Sequence, residues 1–495
     1  MRYSRLLALP LALLLAWGGA TALAASPQRA EAIDPAAARL AWQRSLASRL
    51  DGVLASREFK RARVAAFVVR ADDGEVLYER SPDRALTPAS NVKILTAIAV
   101  LDAFGPNHSF ETRVDVEAPP DAEGAVEDLF VRGGGDPAMN NEDWWRLAAQ
   151  LRGRGLRRVR GDLVLDDAAF DRDRWHPAWG RTSSRAYHAP VGALTANYGA
   201  FSVTVSSGPE VGSPVAAQVD PPVPYLRLDN RAQTVNRRAR RTVVVDRRAG
   251  GEDEIVTVTG VARLGDPPKT YYRSVLDPTR YAGAVLRMQL AALGIAVDGR
   301  TRIGSPPEGA QQLLVFHGRP MSEIVRLFMK YSNNAVAESL VKALGAQASG
   351  GVGSWSNGLE ALRARLEGLG LDASDFSLVD GSGLSYQDKV APRALVKALL
   401  TARNSFRIAP EFMAALPIAA VDGTLEKRGD GAEREVRAKT GLLNRVTALS
   451  GYAHMGDGEV AVFSILINGY RVGDEEAMQA LDRFAAELVR RGESE

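Results

Sequence analysis

The sequence predicts an α+β fold in which a β-rich segment interrupts a domain of helices and strands. Its 495 residues are too many for one ordinary domain. Helical patterns dominate both ends of the chain, whereas residues 113–274 consist of short alternating runs separated by Gly, Pro and Asp clusters. We therefore expect one discontinuous domain, formed by residues 25–112 and 275–495, with one or two small β-rich domains inserted into it.

The chain begins with the pattern of a secretory signal, which we assign to residues 1–24. The basic region "MRYSR" precedes an apolar run that is too short and too Pro-interrupted for a membrane span, and Ala22 and Ala24 supply the small residues of a cleavage site. An uncleaved anchor is the alternative. The mature protein is then expected to work in the periplasm, and because the chain has no cysteine its stability must come from packing.

Charge and histidine spacing narrow the classes of function. The formal net charge is only +3, and the basic runs alternate with valine and leucine. We interpret them as exposed strand faces and solvated helix ends, with peripheral attraction to an anionic envelope surface as the alternative. Nucleic acid is not expected as a partner of an exported protein. The five histidines lack metal-ligand spacing, so we expect no metal and no cofactor, while the oligomeric state stays open.

The first candidate for a catalytic element is a helix that follows two predicted strands and a loop containing Pro88. Ser90 and Lys93 lie one turn apart on nearly one face of this helix. A neutral lysine can take the proton of a serine hydroxyl, and a helix N-terminus favours developing negative charge. The alternative is an N-capping serine beside a surface lysine. Ser339 and Lys342 repeat the spacing inside a later helix, and we interpret that pair as coincidence.

A second element is the short link "YSNNA" between two helical patterns, which carries Ser332 and Asn334. A hydroxyl and an amide two residues apart can aim at one point. The hydroxyl can relay a proton, and the amide can orient a peptide carbonyl or hydrogen-bond a lysine. The alternative is an ordinary helix cap.

The third element lies near the end of the chain, where three consecutive strand patterns precede a closing helix. The first strand contains Lys439 and Thr440, whose charge and hydroxyl suit a carboxylate, and Gly441, which lets the strand edge approach a ligand backbone. The alternative is an edge strand that ends in a turn. Three aspartates in Gly-rich segments are interpreted as structural residues or turn formers rather than acids: Asp136, Asp380 and Asp422.

Each motif is weak alone, but S-x-x-K, S-x-N and K-T-G occur in this order, at a helix start, an interhelical link and a strand. In this the chain resembles the penicillin-recognising serine enzymes. The long insertion and the segments "GGGDP", "AYHAPVGAL", "LVDGSGLS" and "DGTLEKR" are similar to the D-alanyl-D-alanine carboxypeptidase/endopeptidase group typified by penicillin-binding protein 4, serine peptidase family S13. The resemblance implies a transpeptidase-like domain, with an antiparallel sheet flanked by helices on both faces, interrupted by β-rich inserted domains.

The resemblance also implies a role for each motif residue. Ser90 is expected to be the nucleophile that forms the acyl-enzyme, Lys93 its general base, and Ser332 the proton relay to the leaving D-alanine. The substrate-binding residues are expected to be Asn334, Lys439, Thr440, Gly441 and Leu442. The implied oxyanion hole consists of the backbone N–H groups of Ser90 and Leu442. Leu442 departs from the family pattern, which usually has serine or threonine there, so a hydroxyl for the substrate carboxylate is lost.

The implied activity is that of a serine D,D-peptidase acting on peptidoglycan stem peptides, with β-lactam antibiotics as covalent inhibitors. Both removal of the terminal D-alanine and cleavage of D-alanine cross-links are open. One alternative is a serine β-lactamase, although the E-x-x-L-N loop of one large class is missing between Asn334 and Lys439. The other is a non-catalytic envelope protein that binds peptidoglycan through its inserted domains.

Overall fold

The structure, a computed structural model, describes residues 35–55, 59–456 and 458–490. The chain falls into two compact units, residues 1–42 and 43–495. The described part of the first unit is the opening of a helix, and the second unit contains all the described strands. The signal assigned to residues 1–24 lies outside the described residues. Within the described ranges, no helix combines the length and apolar character needed to cross a membrane.

The described helices and strands alternate along the chain. The helices are α1 (Pro35–Leu54), α2 (Val92–Phe104), α3 (Asn141–Gly153), α4 (Pro278–Ala292), α5 (Met321–Tyr331), α6 (Asn334–Ser349), α7 (Trp355–Gly368), α8 (Pro392–Asn404), α9 (Ala409–Ala415) and α10 (Asp474–Val489). The strands are β1 (Arg63–Arg70), β2 (Val76–Arg80), β3 (Ser109–Val116), β4 (Ala125–Val126), β5 (Leu129–Gly133), β6 (Arg158–Val159), β7 (Leu163–Asp166), β8 (Ala200–Ser206), β9 (Ala216–Asp220), β10 (Leu226–Asn230), β11 (Gln233–Val235), β12 (Val244–Ala249), β13 (Glu254–Thr259), β14 (Val261–Arg263), β15 (Lys269–Ser274), β16 (Ala296–Val297), β17 (Thr301–Ile303), β18 (Gln311–Pro320), β19 (Phe376–Ser377), β20 (Lys389–Val390), β21 (Val436–Leu443), β22 (Val446–His454) and β23 (Val460–Asn468).

The two ends of the second unit meet in one antiparallel sheet, in the order β2-β1-β23-β22-β21. Strand β1 pairs along its whole length with β23, from Arg63 opposite Asn468 to Arg70 opposite Ala461. The sequence segments on either side of the predicted insertion therefore share one sheet. Strand β21, which carries the K-T-G motif, is one of the two edge strands.

Helices cover both faces of this sheet. Successive residues of a strand point to opposite faces. On β23, Val462 joins the main hydrophobic core with Leu399 of α8, whereas Phe463 packs against Phe484 of α10 with ring centroids 6.4 Å apart. Strand β22 is buried along all but its last residue, as expected for a strand covered on both sides. The predicted α+β architecture with a helix-flanked antiparallel sheet is confirmed.

A second hydrophobic core gathers residues between Val114 and Phe316. It includes the mixed sheet β17-β7-β5-β3-β18, in which β17, β7 and β5 run parallel and β3 pairs antiparallel with both its neighbours. Helix α3 packs against β18 and helix α4 against β7 and β17. Because α4 and β18 contribute to it, this core extends beyond residue 274, and the domain boundaries stay a prediction.

Helix α3 is an element that the sequence analysis missed within the predicted β-rich segment. The Asn140 side chain caps it by accepting the N–H of Asp143, whose carboxylate accepts the N–H of Asn140 in return. Trp144, Leu147 and Leu151 are buried at helical spacing. A capping residue followed by apolar residues at this spacing is a readable helix signal.

Candidate active site

The serine of the first motif lies in a tight turn rather than in the α-helix itself. Ser90 is the middle residue of a short 3-10 turn, Ala89–Asn91, that leads directly into α2. Neither Ser90 nor Asn91 caps the helix with its side chain, so the capping alternative does not hold. Ala89 has a left-handed φ of 47°, a strained conformation for a residue other than glycine that is common at functional sites.

Lys93 is fully buried, which contradicts the surface-lysine alternative. Its Nζ lies 3.2 Å from Ser90 Oγ, 2.7 Å from Asn334 Oδ1 and 2.6 Å from the carbonyl oxygen of Ser382. These are all neutral acceptors. Burial lowers the pKa of Lys93 to about 8, although the charges of more distant carboxylates act in the opposite direction. A neutral amine able to accept the Ser90 proton is therefore accessible near neutral pH.

The second motif joins α5 to α6 and lies within hydrogen-bond distance of Lys93 and Lys439. Ser332 ends α5 with a left-handed φ of 56°, and Asn334 is the first residue of α6 rather than a loop residue. The helix cap is Asn333, whose side chain accepts the N–H of Val336. Ser332 and Asn334 thus have their side chains free for other contacts: Asn334 Oδ1 accepts from Lys93 at 2.7 Å.

A second buried lysine connects the second and third motifs. Lys439 on β21 is fully buried, and its Nζ donates to Ser332 Oγ and to the carbonyl oxygen of Thr440, both at 2.9 Å. Burial, the positive charge of Lys93 and that of Arg428 hold the pKa of Lys439 well below its usual range. The hydroxyl of Thr440 lies 2.7 Å from that of Thr424 in the "DGTL" segment.

Strand β21 packs directly on the turn that carries the nucleophile. Asn91 Nδ2 donates to the carbonyl oxygen of Lys439 at 3.2 Å. A Cβ at Gly441 would lie 2.7 Å from the carbonyl oxygen of Pro88, too close for any other residue without movement of the backbone. Leu442, the next residue, is 43% exposed. The sequence-predicted residues of all three motifs therefore converge on one place at the sheet edge.

Three contacts of the site were absent from the sequence analysis because they involve backbone carbonyls or a distant residue. The Ser382 carbonyl contacts Lys93, the Tyr187 carbonyl accepts Asn334 Nδ2 at 2.9 Å, and Thr424 contacts Thr440. Backbone acceptors leave no side-chain pattern in a sequence. The segments "AYHAPVGAL" and "LVDGSGLS", which contain Tyr187 and Ser382, were singled out in the sequence only as family signatures.

The three aspartates interpreted as structural residues behave differently from one another. Asp380 holds a turn by accepting the N–H groups of Ser382 and Gly383. Asp422 accepts the N–H of Ile418 and also forms an ion pair with Lys330 at 2.6 Å. Asp136 accepts the N–H of Ala138, and burial raises the pKa of Asp136 to about 7.

Comparison with known proteins gives one family. The D-Ala-D-Ala carboxypeptidase 3 (S13) family matches residues 46–488. A D-alanyl-D-alanine carboxypeptidase of Actinomadura sp. (strain R39) is 38% identical over 470 residues, covering 91% of this chain and 85% of that protein. D-alanyl-D-alanine carboxypeptidase DacB of Haemophilus influenzae is 27% identical over 419 residues, covering 82% of this chain and 85% of that protein.

Solved structures agree with the sequence relatives. The crystal structure of penicillin binding protein 4 (dacB) from Haemophilus influenzae superposes with a TM-score of 0.76 at 25% identity and covers 89% of this chain and 98% of that one. A second crystal structure of the same protein, complexed with a β-lactam, has a TM-score of 0.72 at 25% identity and the same coverage.

Proposed function

Because the chain belongs to the D-Ala-D-Ala carboxypeptidase 3 (S13) family, we propose that Ser90 opens the peptide bond between two D-alanines of a peptidoglycan stem peptide. The chain is a serine D,D-peptidase. The observation that supports the assignment of the nucleophile is the contact of 3.2 Å between Ser90 Oγ and the fully buried amine of Lys93.

Acylation uses the first motif. Ser90 Oγ attacks the carbonyl carbon of the penultimate D-alanine while neutral Lys93 accepts the hydroxyl proton. The negative charge that develops on the carbonyl oxygen is stabilised by the N–H groups of Ser90 and Leu442. The neighbouring Lys439 is also fully buried. Because charges interact more strongly in the protein interior than in water, its amine further stabilises the negative charge on the carbonyl oxygen.

Release of the leaving group uses the second motif. The C–N bond breaks, and the departing amine takes a proton through the hydroxyl of Ser332, which lies 2.9 Å from Lys439. Water then attacks the ester on Ser90, which regenerates the serine and releases the shortened peptide. The same steps release a terminal D-alanine or the amine of a cross-link, so one site serves both reactions.

Substrate binding uses the outer edge of β21 from Lys439 onward, because residues 417–419 already pair with residues 436–438 along that edge. An extended peptide can add to a free strand edge by main-chain hydrogen bonds. Lys439 and Thr440 supply charge and a hydroxyl to the terminal carboxylate, and Asn334 holds the amide on the acyl side. Leu442 contributes its N–H but no hydroxyl.

The predicted domain division and location belong to the same proposal. We propose residues 113–274 as the inserted part of the chain, although α4 and β18 from outside it contribute to the same core. The segment around Tyr187 supports the site by accepting from Asn334. A signal of residues 1–24 directs the enzyme to the periplasm, where peptidoglycan is found. β-Lactams acylate Ser90 and remain attached, a proposal supported by the β-lactam complex of the Haemophilus relative.

The proposal is tested by labelling the purified protein with a fluorescent penicillin and locating the adduct by peptide mass spectrometry. We expect one adduct on Ser90, release of D-alanine from a stem pentapeptide, and loss of both in Ser90→Ala but not in the matched variant Ser339→Ala. Labelling that persists in Ser90→Ala contradicts the proposed nucleophile. Fast turnover of the penicillin favours a β-lactamase, and binding to cell-wall sacculi without release of D-alanine favours a non-catalytic protein.

A further inference from the structure

Three carboxyl groups lie buried behind Lys93, and the reaction steps use none of them. Glu338 on α6, Asp380 and Asp388 are each fully buried, and we call them the carboxyl cluster. Burying a carboxyl group is costly unless it is paired or hydrogen-bonded. Three such groups together near Lys93 must therefore be stabilised by hydrogen bonds.

All three members of the carboxyl cluster hold the backbone of one loop, residues 379–388. The two carboxyl oxygens of Glu338 accept the N–H of Gly381 at 3.1 and 3.2 Å. Asp380 accepts the N–H groups of Ser382 at 3.0 Å and Gly383 at 2.5 Å. Asp388 accepts the N–H of Val379 at 2.8 Å. The loop is thus fixed from behind by carboxyl groups rather than by a sheet or helix.

The other side of the 379–388 loop contacts Lys93 and the backbone of the turn that carries Ser90. The carbonyl oxygen of Ser382 accepts from Lys93 Nζ at 2.6 Å, the shortest of the hydrogen bonds made by that amine. A Cβ at Gly383 would collide with the carbonyl oxygen of Ala89, the residue before Ser90. A displacement of this loop therefore moves the base and the turn of the nucleophile together.

Two tryptophans fix the carboxyl cluster from outside. Trp355 Nε1 donates to Glu338 Oε2 at 2.8 Å, and Trp179 Nε1 donates to Asp380 Oδ2 at 3.0 Å. The two indole rings meet edge to face with centroids 6.4 Å apart. Trp179 belongs to the predicted insertion, so the inserted part of the chain also contributes to the position of the loop.

We propose that Glu338 is a positioning residue for acylation, which holds the Gly381 N–H and thereby keeps the Ser382 carbonyl against the amine of Lys93. This inference rests on the proposed function, because it assigns Lys93 the task of accepting the Ser90 proton. Glu338 forms no hydrogen bond with Ser90, and its carboxyl group accepts from the Gly381 N–H and from Trp355 Nε1. Its side chain acts through two backbone groups of the 379–388 loop.

The electrostatics of the carboxyl cluster agree with this geometry. Burial, followed by the charge of Asp380, raises the pKa of both Glu338 and Asp388. The groups that face Lys93 are these three carboxyls and the second amine, Lys439; His176 faces Asp380 from the other side. The charges of the carboxyl cluster favour the protonated form of Lys93, and the raised pKa values of Glu338 and Asp388 weaken that effect.

The first test is the rate of labelling by a fluorescent penicillin in Glu338→Ala. We expect the acylation rate to fall roughly ten- to a hundredfold, the size expected for a reacting group displaced by about 1 Å. The matched control is Glu254→Ala, which removes another buried carboxyl group that accepts a backbone N–H, that of Leu276. Labelling of a folded Glu338→Ala protein within about twofold of wild type overturns the proposal.

The second test keeps the proposal open to refutation if Glu338→Ala does not fold. Glu338→Gln retains one oxygen for Gly381 but removes the charge, so we expect it to restore most of the rate. Because a negative charge near Lys93 is removed, the rising limb of the pH–rate profile is expected to move to lower pH. Glu254→Gln should leave that limb unchanged. A loss of rate of about tenfold or more in folded Glu338→Gln refutes positioning through the oxygen that accepts the Gly381 N–H, whereas an unmoved limb contradicts only the effect of the Glu338 charge on Lys93.

These outcomes are distinct from failure of the proposed function. If the wild-type protein takes no penicillin label and releases no D-alanine, the serine D,D-peptidase mechanism itself fails. If wild type is labelled on Ser90 while both Glu338 variants match it in rate and pH profile, only the positioning role fails.

Discussion

The chain contains two serine–lysine pairs with identical spacing, and their surroundings differ completely. Lys93 and Lys342 are both fully buried, each three residues after a serine. Lys93 contacts a hydroxyl, an amide oxygen and a carbonyl. Lys342 contacts the carboxylate of Asp171 at 2.5 Å and lies 3.8 Å from the ring centre of Trp355.

The difference shows that spacing and burial alone do not produce a base. Burial lowers the pKa of both lysines, but an adjacent carboxylate opposes this for Lys342, while the carboxylates that oppose it for Lys93 are not in contact. The aromatic face of Trp355 further favours a cation at Lys342. Neutral acceptors orient the amine of Lys93 without holding its proton. Ser339 is also buried within α6, whereas Ser90 lies in a turn at a helix start.

The largest effect is expected from removing each lysine in turn. Lys93→Ala should lower the rate of penicillin labelling roughly a thousandfold, within the range for loss of a general base. Lys342→Ala should leave the labelling rate of the folded fraction near that of wild type. Stopped-flow labelling after normalisation to folded protein by circular dichroism measures both. Equal losses in the two variants would show that burial, not partner chemistry, distinguishes the pairs.

A carboxylate placed beside Lys93 should make it resemble Lys342. Asn334→Asp replaces the amide oxygen that lies 2.7 Å from Lys93 Nζ, and an adjacent carboxylate raises the pKa of a lysine by about two. Wild-type acylation is expected to rise through about pH 8, the lowered pKa of Lys93. In the variant this limb should move to higher pH, so the rate at pH 7 falls about a hundredfold.

The neighbouring asparagine provides the control for this variant. Asn333 only caps α6, and aspartate is an equally good N-cap. Asn333→Asp should therefore retain the wild-type pH profile. A limb that stays at the same pH in Asn334→Asp would separate the activity from the protonation of Lys93.

The comparison also explains which parts of the site could be predicted from sequence. Four residues of the site could be predicted because each lies in a local pattern that is readable within a few residues. The patterns are a helix start, an interhelical link and a strand, and the residues are Ser90, Lys93, Ser332 and Lys439. The buried ion pair of Lys342 was not predicted, because its partner Asp171 is distant in sequence and comes from the predicted insertion.

The parts that escaped prediction share a physical cause. The Ser382 and Tyr187 carbonyls are backbone groups, so their side chains carry no signal of the contact. The carboxyl cluster is assembled from α6 and the 379–388 loop, which no local pattern connects. Asp380 was correctly interpreted as a turn former, but no local pattern indicated that the turn it forms contacts Lys93.

A moderate effect on stability is expected at the second pair. Lys342→Met leaves the Asp171 carboxylate without its partner, which should lower the free energy of unfolding by roughly 2 kcal/mol, less than for a fully sealed pair because Asp171 is 28% exposed. Urea unfolding measures this. The exposed lysine in Lys397→Met is the control and should change stability by less than about 0.5 kcal/mol. A loss no larger than in this control would mean that the Asp171 pair adds nothing.

The smallest effect is expected where the site lacks a partner atom. Leu442 follows the K-T-G motif and is 43% exposed, so Leu442→Ser removes little core packing. The new hydroxyl can donate to the terminal carboxylate of the substrate, which should lower KM for a stem pentapeptide about fivefold, given the modest net worth of an exposed hydrogen bond to a charged group. The value of kcat should not change, because the N–H of the oxyanion hole is retained. Leu442→Ala is the matched control, since it shortens the side chain without adding a donor. If both variants lower KM equally, leucine acts by obstructing the carboxylate, and partner chemistry does not govern this position as it governs the two lysines.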